Sequence, residues 1–206
     1  AMRLTYIDVY MVHGARGSSE DDLRALAETW QVLEELYERK QIRVLAVSNF
    51  DQWWLSKLFE SARIKPHVVQ NHYSLYHHGH QMLLSKHEET IDAFCARHGI
   101  LIEAYSPLSA WPWALRGRDD VHVEAIAADV QRSPTQVVLR WLLQRGLAVL
   151  VRSSVGDHIV ENAQLFDFAL STEDMAMLDA LHWMVASPLY EPEGDGADNV
   201  FGIVGT

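Results

Sequence analysis

A histidine closes the first apolar segment of this chain, Tyr6-Ile7-Asp8-Val9-Tyr10-Met11-Val12-His13. An imidazole titrates near neutral pH and can pass a proton to or from a reacting group, but the same residue can serve simply as a hydrogen-bonding strand end. Other polar groups follow later apolar segments: Ser48-Asn49, Gln70, Tyr105-Ser106 and Arg152-Ser153. Parallel α/β sheets carry function on the C-terminal ends of strands and the loops beyond them. Recurrence at such ends points to one shared site more strongly than any single residue does. A second group, His72-Tyr73, His77-His78 and His80, invites a zinc reading, since close imidazoles bind that ion. The spacing matches no defined zinc site, and no cysteine or paired carboxylate joins it. Exposed loop histidines and no metal are the expectation.

The elements that must position these groups alternate between strand and helix. Residues 5–12 read as a strand buried on both faces. Ser18 or Ser19 before Glu20, Asp21 and Asp22 starts a helix, and Leu26, Trp30, Leu33 and Tyr37 give its apolar stripe. Residues 43–48 form the next strand, and Asp51 caps a helix carrying Leu55, Leu58, Phe59 and Ala62. A third strand lies near 67–71, after Pro66. Ser85 with Glu88 makes a capping box ahead of Ile91, Phe94 and Cys95, and Gly99 ends that helix. Residues 100–104 are the fourth strand, followed by a Trp-containing loop at 107–120. Helices are expected near 121–130 and 134–145, the second opened by Ser133, Pro134 and Gln136. Ala148 to Val151 is the fifth strand, Asp157 starts a short helix and Ser171 the last one. From Pro188 the chain is rich in Pro, Gly and acids and reads as a loop or tail. Of the paired Trp53 and Trp54, one ring is expected in the core and one at the surface.

Strands separated by helices imply a parallel sheet, and pattern alone permits an open doubly wound one. No Gly-x-Gly-x-x-Gly follows the first strand, so a Rossmann nucleotide site has no support. The net charge of −11, from 17 basic and 28 acidic residues, argues against nucleic acid and anionic membranes as partners. No apolar run reaches the roughly 18 residues of a membrane helix. The single cysteine, Cys95, excludes an internal disulfide and fits a reducing, cytoplasmic setting.

Taken in order, the strand-end histidine His13, Val47-Ser48-Asn49-Phe50, Ala104-Tyr105-Ser106-Pro107-Leu108, Arg152-Ser153 and Glu161-Asn162 resemble the C-terminal part of an aldo-keto reductase. The resemblance covers about residues 4–182 and implies a partial (β/α)8 TIM-type barrel of about five parallel strands, beginning near the family's fourth strand. The length of 206 residues suggests one domain, or at most two small ones, and the chain is read as a single partial-barrel domain over residues 1–206 with 188–206 as a loop or tail. Complete barrels usually need about 250 residues. The family transfers hydride between a nicotinamide cofactor and a small carbonyl or alcohol. It implies NADP as cofactor. Ser48, Asn49 and Gln70 correspond to the groups that bond the nicotinamide carboxamide, and Tyr105 to the ring that stacks on it. Ser106 and Leu108 lie where the family's loop wraps the pyrophosphate. Arg152 and Ser153 correspond to the ribose 2′-phosphate contacts, with Arg in place of the usual Lys. His158 stands where Arg is usual, and Glu161 and Asn162 match the adenine contacts.

Of the family's catalytic Asp, Tyr, Lys and His, only the His has a counterpart, His13; the others would precede residue 1, and Asp8 is no replacement. Three functions stay open on these residues: an NADP-dependent oxidoreductase, a non-catalytic cofactor- or partner-binding relative, and a non-redox isomerase or cyclase using His13 as acid and base. Trp111 and Trp113 are candidates for a substrate wall. A partial barrel leaves strand edges unpaired, so a homo-oligomer, or a partner chain or rearranged segment covering the open side, is expected.

Overall fold

The computed structural model describes residues 4–15, 17–78, 89–108 and 117–185. Five strands, β1 (Ile7–Val12), β2 (Ile42–Ser48), β3 (Val68–His72), β4 (Leu101–Tyr105) and β5 (Ala148–Leu150), form one sheet. Every neighbouring pair is parallel, and the spatial order is the sequence order. A doubly wound sheet reverses its strand order partway, whereas a barrel wall does not. The unbroken order therefore decides for the barrel arc.

Helices fill the crossovers: α1 (Glu20–Glu38), α2 (Gln52–Ser61), α3 (Ile91–His98), α4 (Val121–Val130), α5 (Pro134–Gln144), α6 (Gly156–Ala163) and α7 (Thr172–Val185). Local chemistry sets most of their starts. Ser19 and Asp22 form a reciprocal capping box on α1, and Ser133 and Gln136 form another on α5, with Pro134 in the first turn. Asp51 caps α2. Two starts differ from the sequence reading. α3 begins at Ile91 with Thr90 as its cap, and Ser85 and Glu88 fall outside the described residues. α6 begins at Gly156 behind Val155, with no side-chain cap, so Asp157 lies inside its first turn. Among the described residues, no helix is long and apolar enough to cross a membrane.

Paired residues of parallel strands share a face. On one face Leu45, Val47, Val69, Ile102 and Ala104 are buried against Trp30, Leu33, Leu55, Leu58, Phe94, Val138 and Trp141 of the helices. On the other, Val9, Leu101 and Leu150 remain 47%, 44% and 42% exposed. β1 is therefore not buried on both faces as its composition suggested; Tyr10, on its helix-facing side, is also exposed. Among the described residues β1 is an edge strand, and an apolar run tells nothing about which segment covers it. Trp53 and Trp54 also depart from expectation. Both are half-buried, with the Trp53 ring set edge-on to Trp54 at 4.8 Å and Trp54 packed near Phe50.

Two buried polar side chains lock the connections. Glu34 accepts from the backbone N–H groups of Arg63 and Ile64 at 2.6 and 2.9 Å, fixing the exit from α2. Asn71 on β3 accepts from Phe50 N at 3.2 Å and donates to Phe50 O at 2.7 Å, fixing the turn after β2. Replacing Asn71 by Ala strands both backbone groups of Phe50. Urea unfolding of Asn71→Ala is expected to show a loss of about 2–4 kcal/mol; a loss below about 0.5 kcal/mol would mean that the turn is held by something else.

Candidate functional site

The site forms where β1, β2, β3 and β4 end together. Register places Ser48 beside Gln70 and Gln70 beside Glu103, so three polar side chains share one level on the face away from the helices. Ser48 is buried, and its hydroxyl donates to Gln70 O at 2.8 Å. Asn49 takes a left-handed backbone, φ 57°, which Asn tolerates better than most residues. Its backbone N–H donates to Gln70 O at 3.1 Å. The Asn49 amide donates to His13 O at 2.8 Å and to Ser48 Oγ at 3.1 Å, and accepts from the Tyr105 hydroxyl at 2.8 Å. One side chain thus ties together the ends of β1, β2 and β4.

Gln70 Nε2 donates to Glu103 Oε2 at 2.6 Å. Burial pushes the Tyr105 phenol above its ordinary value, so it stays a neutral hydroxyl donor. The His13 ring is exposed and bonds no described residue, while its carbonyl anchors Asn49. Ser106 is exposed and also left-handed, φ 52°. Leu108 is half-buried and packs against the core.

The remaining candidates lie on the segment that leaves β5. Arg152 is exposed and pairs with no described acid. Ser153 is occupied locally, its hydroxyl accepting from Val155 N at 3.1 Å and donating to Val155 O at 3.3 Å. His158 is exposed on α6, and Glu161 and Asn162 are half-buried there. Gln136 Nε2 donates to Glu161 O at 3.3 Å and to Gln164 O at 2.9 Å, pinning the end of α6 to α5. No hydrogen bond joins this segment to the group around Gln70 among the described residues. The sequence reading placed His13, Ser48, Asn49, Gln70, Tyr105, Ser106, Arg152 and Ser153 at strand ends; in the structure hydrogen bonds join the Ser48, Asn49, Gln70 and Tyr105 groups, and none joins Arg152 or Ser153 to them among the described residues.

The histidine group is not a set of exposed loop residues. His78 is buried and its ring bonds Ser74 O at 3.1 Å. His72 stacks on His77 at 4.6 Å and lies 5.7 Å from Tyr105. Among the described residues no three His, Cys, Asp or Glu side chains come together to hold a metal, and His80, Trp111 and Trp113 fall outside the described set. Burial pushes the Cys95 thiol up to about 12, so it is an unreactive packing group.

Sequence reasoning missed Glu103. Its signal was present in Leu101-Glu103-Tyr105, alternate residues of a short strand that share a face with Gln70. It also missed a half-buried charged cluster, where Tyr73 donates to Asp92 at 2.7 Å, Arg145 pairs with Asp92 at 2.8 Å and with Asp179, and Trp141 donates to Asp179 at 2.8 Å.

The sequence matches a known family. The model of the aldo/keto reductase family matches residues 1–182, and the chain belongs to that family. It is 36% identical to the 9,11-endoperoxide prostaglandin H2 reductase of Trypanosoma cruzi, over 87% of this chain and 58% of that protein. It is 36% identical to the glyoxal reductase of Bacillus subtilis, over 88% of this chain and 59% of that protein. The crystal structure of a Bombyx mori aldo-keto reductase in complex with NADP superposes with a TM-score of 0.69 at 27% identity, covering 86% of this chain and 58% of that one. The chain spans about three fifths of the length of the curated relatives it matches.

Burial, with smaller effects from His72 and His78, pushes the His77 imidazole down to about 4. An unfolded histidine titrates near 6.5, so between those values the unfolded chain binds the extra proton. The contribution of neutral His77 is complete above about pH 6.5 and is lost as pH falls towards 4, by about 2–3 kcal/mol. Urea unfolding at pH 7 and pH 4.5 should show a smaller loss for His77→Phe than for the unaltered chain. Equal losses would remove His77 as the source.

Proposed function

We propose that the chain carries the nicotinamide-dinucleotide side of an aldo-keto reductase site and serves NADP-dependent reduction of a small carbonyl, or oxidation of the alcohol. The observation that carries this reading is the bonded cluster of Ser48, Asn49, Gln70 and Tyr105, in which Gln70 Oε1 accepts from no described residue. An aromatic ring beside neutral amide and hydroxyl groups fits a flat, uncharged carboxamide ring. The exposed Arg152 guanidinium, paired with no described acid, fits a phosphate, Ser153 and His158 follow it along the chain, and Glu161 and Asn162 suit the adenine. Ser106 and Leu108 supply the loop between these two ends. The cofactor, when bound, supplies or takes up the hydride.

The chain's own residues do the rest. Gln70 orients the carboxamide while Ser48 and Asn49 hold the Gln70 strand end in place, Tyr105 covers the ring, and the exposed His13 imidazole meets the substrate oxygen, orienting it or passing the proton that makes the alcohol. The glyoxal reductase relative and the NADP complex of the Bombyx mori protein support a small carbonyl and this cofactor.

A second reading, cofactor binding without turnover, is favoured by where the described lysines sit. Lys57 pairs with Glu60, Lys65 holds the carbonyls of Phe59 and Ala62, and Lys40 follows α1, so none stands beside Tyr105 or His13. The exposed Val9, Leu101 and Leu150, on three strands of the sheet face away from the helices, support a further proposal, that another copy of the chain or a partner chain covers this face. A monodisperse monomer in sedimentation would contradict self-association.

Titration with NADPH, followed by cofactor fluorescence, tests the main reading. Saturable binding is expected, weakened about tenfold by Arg152→Ala. His13→Ala should keep that binding and lower carbonyl-dependent NADPH oxidation. No binding at millimolar cofactor would overturn both readings, binding without turnover would select the second, and turnover unchanged by His13→Ala would remove His13 from the chemistry.

A further inference from the structure

Glu103 has no part in the reading above, yet it is the residue that bonds the Gln70 amide. The two are register partners on β3 and β4, and Gln70 Nε2 reaches Glu103 Oε2 at 2.6 Å. A carboxylate accepts hydrogen bonds and has none to give, so it holds the NH2 end of a neighbouring amide and repels the oxygen end. The amide is thereby kept from turning over, and its oxygen is the end left for a ligand.

Asn49 offers a useful contrast. Its NH2 is spent on His13 O and Ser48 Oγ, and its oxygen already accepts from Tyr105. Ser48 donates to Gln70 O and accepts from Asn49. Gln70 Oε1, by comparison, accepts from no described residue.

We infer that Glu103 is a positioning residue that fixes the Gln70 amide so that the site offers an acceptor and selects a ring bearing an N–H donor, such as a primary carboxamide. The inference deepens the nicotinamide reading and rests on it. Without Glu103 the amide can present either end, and discrimination between a carboxamide and a group lacking N–H is lost.

The test compares the affinity of NADP with that of its 3-acetylpyridine analogue, whose methyl ketone has no N–H. The unaltered chain is expected to prefer NADP by about fivefold to tenfold, the size of one net hydrogen bond. In Glu103→Leu the ratio should fall towards one. In Glu103→Gln the new amide can accept from Gln70 or donate to it, so the ratio should fall between those of the unaltered chain and the Leu variant. Glu103→Met, closer in shape to glutamate, replaces the Leu variant if that chain fails to fold. A Leu or Met variant that weakens both ligands equally, or changes neither, would overturn the inference while leaving the nicotinamide reading intact. If the unaltered chain binds neither ligand, the nicotinamide reading itself falls.

Discussion

Parallel pairing in sequence order is the constraint on which the site depends. Because neighbouring strands run the same way, Ser48, Gln70 and Glu103 arrive at one level and on one face although they are far apart in the chain. A slip of one residue in any of these ladders would turn a polar group into the helix-packed core and bring a valine or isoleucine into the site. The helices hold the register from outside. Leu45, Val47, Val69 and Ala104 are buried between the site residues of the same strands, so the packing that stabilises the sheet also orients the polar groups on its other face.

The strand ends are then tied by side chains rather than by a common loop. Asn71 clamps both backbone groups of Phe50, which sets the turn that carries Asn49. Asn49 in turn bonds the end of β1 through His13 O and the end of β4 through Tyr105. Each link is a modest net contribution of about 1 kcal/mol. Together they keep Gln70 and Tyr105 in a fixed relation without a ligand, which lowers the ordering cost of binding one.

Much of this was legible in the sequence. The five strands, most of the helix starts and the polar strand ends follow from apolar periodicity and capping chemistry. Two kinds of fact were not. Burial of β1 depends on what lies beside it, and a run such as Ile7-Asp8-Val9-Tyr10 reads the same for an edge strand as for a central one. Partners across the sheet depend on register, so the Glu103–Gln70 bond had no local signature. Asn49 was read as a ligand contact; its structural work, bonding His13 O and Tyr105 at once, was visible only when the strands were side by side. The segment from Arg152 to Asn162 shows the reverse: its candidate groups stay close in sequence and in space, but their roles depend on a ligand.

The central claim is that the bonded cluster at the strand ends receives the nicotinamide. Side-chain amide signals of Gln70 and Asn49, followed by NMR as NADP is added, test it most directly. The account predicts that the Gln70 signals shift saturably, and that truncating the cofactor to nicotinamide mononucleotide preserves the shift at higher concentration. Shifts confined to the Arg152–Asn162 segment, with Gln70 and Asn49 unmoved at saturation, would contradict it.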